Sequence, residues 1–95
     1  MKYYKNLSID EGDFSVQRQG CRIHLTTTEY QLFITLLDHS GCICSRNFLL
    51  ASAWNITVPI QTRTVDVHIA KLRKKLDLGP DDLKTVTRQG YALSM

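Results

Sequence analysis

Apolar and polar residues alternate along the first 25 positions of the chain. The apolar members of the alternating runs are Leu7 and Ile9; Phe14 and Val16; and Cys21, Ile23 and Leu25. Short polar segments that contain glycine, at positions 10–13 and 19–20, separate the runs. A period of two interrupted by turns predicts a small antiparallel sheet over residues 1–25, with one face in water.

From Thr26 onward the spacing becomes helical. Thr26 and Glu29 have the arrangement of a capping box, and Gly41 is expected to stop the helix that follows. Ser45 is placed as the N-cap of a second, shorter helix, and Pro59 predicts a loop before the third. The apolar residues at helical spacing are Tyr30, Phe33, Ile34, Leu36 and Leu37 in the first helix, and Phe48, Leu49, Leu50, Ala53 and Trp54 in the second.

A third helix is predicted over residues 63–76, and its two faces differ. One face carries an apolar stripe with spacings of four, three and four residues: Val65, Ile69, Leu72 and Leu76. The opposite face carries Arg63, Val67, Lys71 and Lys74, flanked by Thr64, His68 and Lys75. Gly79 and Pro80 are expected to end the helix. A hairpin over residues 83–93, with its tip at 87–90, completes an α+β chain.

Length and composition fit one small domain over residues 1–95, with the sheet at 1–25, the helices at 26–76 and the hairpin at 83–93. The chain has 95 residues, of which 43% are hydrophobic and 22% charged, which excludes intrinsic disorder. No apolar run reaches the roughly 18 residues needed to cross a bilayer, and no signal-peptide core follows the first lysines. We therefore expect a soluble, cytoplasmic protein with no membrane partner.

Residue spacing argues against a metal site and against an enzyme active site. His39, Cys42 and Cys44 lack a fourth ligand at a familiar spacing, so the cysteines are interpreted as small hydrophobes in a reducing compartment. None of the histidines, which include His24 and His68, has a Ser or Cys nucleophile or a carboxylate pair at a recognisable spacing. The sequence therefore predicts neither catalysis nor a cofactor.

The positive charge lies in the last third of the chain. The formal net charge is +3; residues 1–62 hold five Lys or Arg against five acids, and residues 63–95 hold seven against four. Five of the seven fall between Arg63 and Lys75, where Asp66 is the one acid. Such a concentration is typical of proteins that bind a polyanion, although cations near a helix C-terminus also compensate the helix dipole.

Three helices followed by a hairpin, with basic residues on the third helix and the hairpin, indicate a winged helix-turn-helix. A helix fits the major groove of DNA, and Arg63, Val67 and Lys71 line one face at intervals of about 6 Å. Lysine and arginine donate to guanine acceptors, and valine contacts the methyl group of thymine. Residues 73–75 are better placed for phosphates.

Four stretches of the chain resemble the OmpR/PhoB-type effector domains of response regulators. They are Leu25-Thr26-Thr27-Thr28-Glu29-Tyr30; Ser45-Arg46 with Leu49-Leu50 and Trp54; Arg63-Thr64-Val65-Asp66-Val67-His68-Ile69 with Leu72-Arg73-Lys74-Lys75-Leu76; and Thr85-Val86 with Gly90-Tyr91. The likeness covers essentially the whole chain. It implies a four-stranded N-terminal sheet, three helices and a C-terminal hairpin, called the wing.

The resemblance also implies a function, that of a transcription regulator in a two-component system that binds specific double-stranded DNA. The recognition helix, about residues 62–76, would enter the major groove, and the wing tip at 87–90 would lie near the minor groove. Two copies would bind direct-repeat half-sites as a homodimer, and the loop at 55–61 would contact RNA polymerase. The receiver domain that ordinarily precedes such a module is absent from this sequence, which is therefore either an excised effector domain or a stand-alone regulator.

Carried over position by position, the resemblance supplies a set of DNA-contacting residues. The set is Val67 and Lys71 toward bases; Arg63, Thr64, His68, Arg73 and Lys74 toward bases or phosphates; Arg46 and Trp54 toward backbone phosphate; and Arg88 in the wing. Trp54 is equally suited to the core. Ala70 stands where the family has a basic residue, and Arg88 is displaced by one position, so its entry into the minor groove stays open. A winged helix that binds protein rather than DNA is the alternative.

Overall fold

The structure, a computed structural model, describes residues 2–58, 60 and 62–94. Met1, Met95 and two positions of the predicted 55–61 loop, Pro59 and Gln61, lie outside the described residues. The N-terminal part is an antiparallel sheet with strands in chain order: β1 (Lys2–Tyr4), β2 (Leu7–Asp10), β3 (Ser15–Arg18) and β4 (Cys21–His24). The four strands confirm the sheet that the resemblance implies. The residue pattern misses β1, because three residues are too few to show alternation.

Phe14 leaves the predicted alternation. Its backbone is left-handed, with φ of 57°, and its side chain is 38% exposed. Strand β3 therefore begins at Ser15, and both Ser15 and Val16 are buried. The prediction that Phe14 and Val16 share one buried face is wrong, because Phe14 lies in the turn before β3 and not in the strand.

The three cysteines lie in different environments. Cys44 is buried, whereas Cys21 and Cys42 are exposed, so the interpretation as small hydrophobes holds for the first and is wrong for the other two. Burial raises the pKa of the Cys44 thiol. Within the described ranges, no three His, Cys, Asp or Glu side chains stand close enough to hold a metal ion.

The three helices follow the predicted order: α1 (Thr27–Asp38), α2 (Arg46–Trp54) and α3 (Thr64–Leu76). The capping box is confirmed, since the Glu29 amide donates to Thr26 Oγ1 at 3.2 Å and the Thr26 amide donates to Glu29 Oε1 at 2.9 Å. The Phe48 amide donates to Ser45 Oγ at 3.1 Å, which confirms the second cap. In the described part of the chain, no helix is long and apolar enough to cross a membrane.

Two helix ends differ from the prediction. Helix α1 ends before Gly41 is reached, with His39 as its C-cap. Helix α3 ends because Asp77 adopts the left-handed conformation, with φ of 52°, which aspartate tolerates better than most residues. Gly79 and Pro80 therefore follow the helix and do not stop it.

The apolar stripe of α3 lies at the centre of the core. Each of its members is at most 1% exposed, as predicted: Val65, Ile69, Leu72 and Leu76. They belong to one buried cluster with residues of the sheet, of α1 and α2, and of the wing strands β5 (Leu83–Val86) and β6 (Gly90–Leu93). Burial of this stripe leaves the opposite face of α3 toward solvent.

Polar contacts hold the C-terminal end of α3. The carboxylate of Glu29, a residue that is 2% exposed, accepts from Lys75 Nζ at 2.6 Å. Arg18 of β3 donates to the Leu76 carbonyl. Burial by itself would raise the pKa of Glu29, but the hydrogen bonds from Lys75 and from the Thr26 amide hold it below its ordinary value of 4.5. Glu29 therefore remains ionised in the fold and ties α1 to α3.

Replacing Glu29 with glutamine is expected to lower the free energy of unfolding by about 1–3 kcal/mol at neutral pH. Glutamine can keep the capping-box contact, but it loses the ion pair with Lys75. Because the pKa of Glu29 is lowered by folding, its contribution is present above 4.5 and is lost as the pH falls through the folded value. Urea unfolding at decreasing pH should show the stabilities of wild type and variant converging.

Glu11→Gln is the matched control for this measurement. Glu11 is exposed and lies 3.5 Å from Lys2 Nζ, so its replacement should change stability by less than about 0.5 kcal/mol. A Glu29→Gln difference that stays the same from neutral to acidic pH would contradict a stabilising role for the ionised carboxylate.

Candidate nucleic-acid interface

The outward face of α3 is exposed along its whole length. Arg63, Val67, Lys71 and Lys74 all lie in solvent, and Val67 is 50% exposed although its side chain is apolar. Successive turns of a helix are about 5–6 Å apart, so these side chains form a row in which cations flank one valine. A row of this kind can offer charge to phosphates and an apolar contact between them.

Thr62 shapes the beginning of this face. Its hydroxyl accepts from the Thr64 amide at 3.2 Å and shares a hydrogen bond with the Thr64 hydroxyl at 2.8 Å. Arg63 occupies the N-cap position and makes no capping bond with its side chain, so its guanidinium is available outside the helix. The residue pattern did not single out Thr62, although a threonine two residues before the first helical residue is a signal of this kind.

His68 and Trp54 form one flank of α3. His68 Nδ1 lies 2.9 Å from the Thr64 carbonyl oxygen, and the Trp54 ring meets the imidazole edge to face, with 4.9 Å between the centroids. Trp54 is half-buried and packs against the core. The core alternative for Trp54 is therefore supported, and a phosphate contact from it stays a prediction.

Ion pairs divide the chain into a neutralised and a positively charged part. The Lys and Arg residues of segment 2–62 each pair with a carboxylate: Lys2, Lys5, Arg18, Arg22 and Arg46. From residue 63 onward, Lys75 alone among the described residues does so. The exposed cations with no ion pair in the described ranges are Arg63, Lys71, Lys74, Lys84 and Arg88, which we call the cationic surface. All of them lie on α3, at its N-cap or on the wing.

Two of the predicted DNA-contacting arginines make contacts inside the protein. Arg46 Nε donates to the Asp66 carboxylate at 3.0 Å, and chiefly this hydrogen bond raises the pKa of Arg46. Arg73 donates to the Leu83 carbonyl at 2.6 Å and to the Thr85 hydroxyl at 2.9 Å. Both side chains join separate elements of the fold, and a DNA contact from either stays a prediction.

Tyr91 lies between these two arginines. Its ring centroid is 5.3 Å from the guanidinium carbon of Arg46 and 6.0 Å from that of Arg73, and its hydroxyl donates to the Asp66 carboxylate. Burial first, and this hydrogen bond second, raise the pKa of Tyr91. We call these four residues the Tyr91 cluster. The residue pattern did not predict this cluster, and its one signal in the sequence is the single acid within the basic segment 63–75.

The wing turns sharply at Arg88. This residue is exposed and left-handed, with φ of 65°, and the amide that follows it, of Gln89, donates to the Val86 carbonyl at 2.9 Å. Gly90 pairs with Val86 in the strand ladder. The tip therefore covers residues 87–89, and the predicted tip at 87–90 is one residue too long.

Known proteins similar to this chain regulate transcription. A family model described as "Transcriptional regulatory protein, C terminal" matches residues 20–93. The phosphate regulon transcriptional regulatory protein PhoB of Rhizobium meliloti is 34% identical over 90 residues, covering 93% of this chain and 40% of that protein. Transcriptional regulatory protein CseB of Streptomyces coelicolor is 36% identical over 90 residues, covering 95% and 38%. The chain thus spans about two fifths of the length of these relatives.

Solved structures with this fold include complexes with DNA. The RstA DNA-binding domain of Klebsiella pneumoniae, solved in complex with the RstA box, superposes with a TM-score of 0.87 at 32% identity, covering 98% of this chain and 95% of that one. The DNA-binding domain of the response regulator AdeR, solved with an intercistronic region, gives a TM-score of 0.83 at 34% identity and covers 98% of each chain.

Proposed function

This chain belongs to the family of transcriptional regulatory protein C-terminal domains, as an OmpR/PhoB-type effector domain, and from this we propose that it binds a specific double-stranded DNA sequence. The cationic surface carries the proposal, because its side chains are exposed and unpaired within the described ranges. Unbalanced charge of this kind attracts the phosphate backbone. The RstA and AdeR domains, which share the fold, were solved with DNA, which supports the proposal.

In the proposed complex, α3 enters the major groove with its outward face toward the base edges. Val67 contacts a thymine methyl group, and Lys71, one turn further on, donates to a guanine acceptor. Arg63 and Lys74 stand at the two ends of the same face and contact phosphates. Arg88 brings the wing tip toward the minor groove.

Several properties of the whole protein are proposed from its family. Two copies bind half-sites in direct repeat, the loop at 55–61 contacts RNA polymerase, and the protein acts in the cytoplasm. Val58 and Ile60 of this loop are 63% and 43% exposed, which supports a protein contact there. Duplexes selected by the chain from a random pool should contain two half-sites about one helical turn apart.

Affinity for duplex DNA should fall steeply with salt. If the four members of the cationic surface other than Lys71 each contact one phosphate, the slope of log affinity against log salt is about −3.6 for each bound copy. Fluorescence anisotropy with a selected duplex over a range of salt concentrations measures this slope. An absence of binding at low salt would refute the DNA proposal and favour a domain that binds protein.

Lys71→Ala is expected to weaken binding to the selected duplex by about 1–3 kcal/mol and binding to a random duplex much less. The reason is that a base contact is lost only where the correct base is present. Arg22→Ala is the matched control, because it removes the same charge from β4, where Arg22 pairs with Asp13. An equal loss on both duplexes would assign Lys71 to the phosphates.

A further inference from the structure

The wing is attached to the segment just before α2 and to both ends of α3. The Tyr91 amide donates to the Cys44 carbonyl at 2.9 Å, and the Cys44 amide donates to the Tyr91 carbonyl at 2.7 Å, immediately before α2. The Tyr91 hydroxyl donates to Asp66 in the first turn of α3. Arg73, in the last turn of α3, donates to the Leu83 carbonyl. Strand β6 is therefore attached at the beginning of α3, and strand β5 at its end.

Tyr91 makes three of these hydrogen bonds, two through its backbone and one through its hydroxyl. It is 4% exposed, and the oxygen of Asp66 that receives its hydroxyl also receives Arg46 Nε at 3.0 Å. A hydrogen bond to a carboxylate is stronger than one between neutral groups. Because the bond is also directional, it restricts the angle between β6 and α3 as well as the distance between them.

The members of the Tyr91 cluster bring together side chains from α2, α3 and β6 that are far apart in sequence. Without a partner, the negative charge of Asp66 would repel the phosphates of DNA bound to the outward face of α3. Arg46 neutralises this charge, and the Tyr91 hydroxyl satisfies the same oxygen. The Asp66 carboxylate therefore accepts its hydrogen bonds from within the protein. Its presence on this face does not require a contact with a base or a phosphate.

We propose that Tyr91 and Asp66 are positioning residues that hold the wing at a set angle to α3, so that both elements contact one duplex together. This rests on the proposed DNA binding. A surface that is already arranged loses less conformational entropy when it binds. Loosening the attachment should therefore weaken DNA binding although no DNA-contacting side chain is removed.

Tyr91→Phe tests the proposal, because it removes the hydroxyl and keeps the ring beside both arginines. The matched control is Tyr30→Phe, since Tyr30 is a buried tyrosine of α1 that packs against Phe14. Hydrogen–deuterium exchange of the DNA-free chain should become about tenfold faster at the amides of β5 and β6 in Tyr91→Phe, with the amides of α3 unchanged. Affinity for the selected duplex should fall about tenfold, and the control should change neither quantity.

Each outcome bears on a different statement. Unchanged exchange in the wing would overturn the attachment. Faster exchange in α3 as well would overturn the positioning role, because it would show a general loss of structure. Faster wing exchange with unchanged duplex affinity would overturn the positioning role and leave DNA binding standing. A wild-type chain that binds no duplex would overturn the proposed function itself. If Tyr91→Phe does not fold, Asp66→Asn provides a second test, because asparagine keeps an acceptor but loses the charge. This variant should also make hydrogen exchange in the wing faster. Unchanged wing exchange in Asp66→Asn would overturn the proposal.

Discussion

Gly90→Ala is expected to lower the free energy of unfolding by about 3 kcal/mol or more. A Cβ atom at Gly90 would lie 2.0 Å from the Cys44 carbonyl oxygen and 2.9 Å from the Ser45 Cα atom. That oxygen accepts from the Tyr91 amide at 2.9 Å, so the two segments cannot separate without losing this hydrogen bond. The φ of 143° adds backbone strain for a residue with a side chain.

Gly20→Ala is the matched control, because it separates backbone strain from close approach. Gly20 also has a positive φ, of 82°, but a Cβ atom there would meet nothing within 4 Å. Its replacement should cost about 1 kcal/mol, and urea unfolding of both variants measures the difference. If Gly90→Ala cost no more than Gly20→Ala, the contact between the wing and Cys44 would be more adaptable than the structure indicates.

Helix α3 shows which parts of the fold can be predicted from sequence. Its apolar stripe is spaced at helical intervals, and each of these positions is buried, because the same periodicity that brings side chains to one face also builds the core. The cap at Thr26 is equally local and was predicted correctly. Strand β1 and the turn at Phe14 were not, because a three-residue strand has no period and a left-handed phenylalanine is rare.

The candidate site was predictable in part, for a related reason. Helical spacing alone places Val67 and Lys71 outward, and the structure has both side chains exposed. The partners of Arg46 and Arg73 were not predictable, since Asp66 and the carbonyl of Leu83 come close only after α2, α3 and the wing have packed. The sequence gives the number of charged residues, whereas the structure shows which of them are paired with an opposite charge.

This distinction changes how the net charge is understood. A formal charge of +3 is modest for a nucleic-acid-binding domain. Because the cations of the first 62 residues are paired with carboxylates, the unpaired positive charge is concentrated on α3, its N-cap and the wing. Local potential, and not net charge, determines the attraction of a polyanion at short range.

Leu72→Ala and Val67→Ala, on opposite faces of α3, should separate stability from DNA binding. Leu72 is fully buried, so its truncation should lower the free energy of unfolding by about 2–5 kcal/mol through lost contacts and a cavity. Val67 is 50% exposed, and its truncation should change stability by less than about 0.5 kcal/mol. Urea unfolding of the two variants under the same conditions measures both values.

The same valine should matter for affinity. Val67→Ala is expected to weaken binding to the selected duplex by about 1 kcal/mol, the value of a small buried apolar contact. A duplex with uracil in place of the contacted thymine lacks the methyl group, so the variant and the wild type should bind it with nearly equal affinity. If Val67→Ala instead destabilised the domain as much as Leu72→Ala does, Val67 would be a core residue, and the face of α3 assigned to DNA would have to be another one.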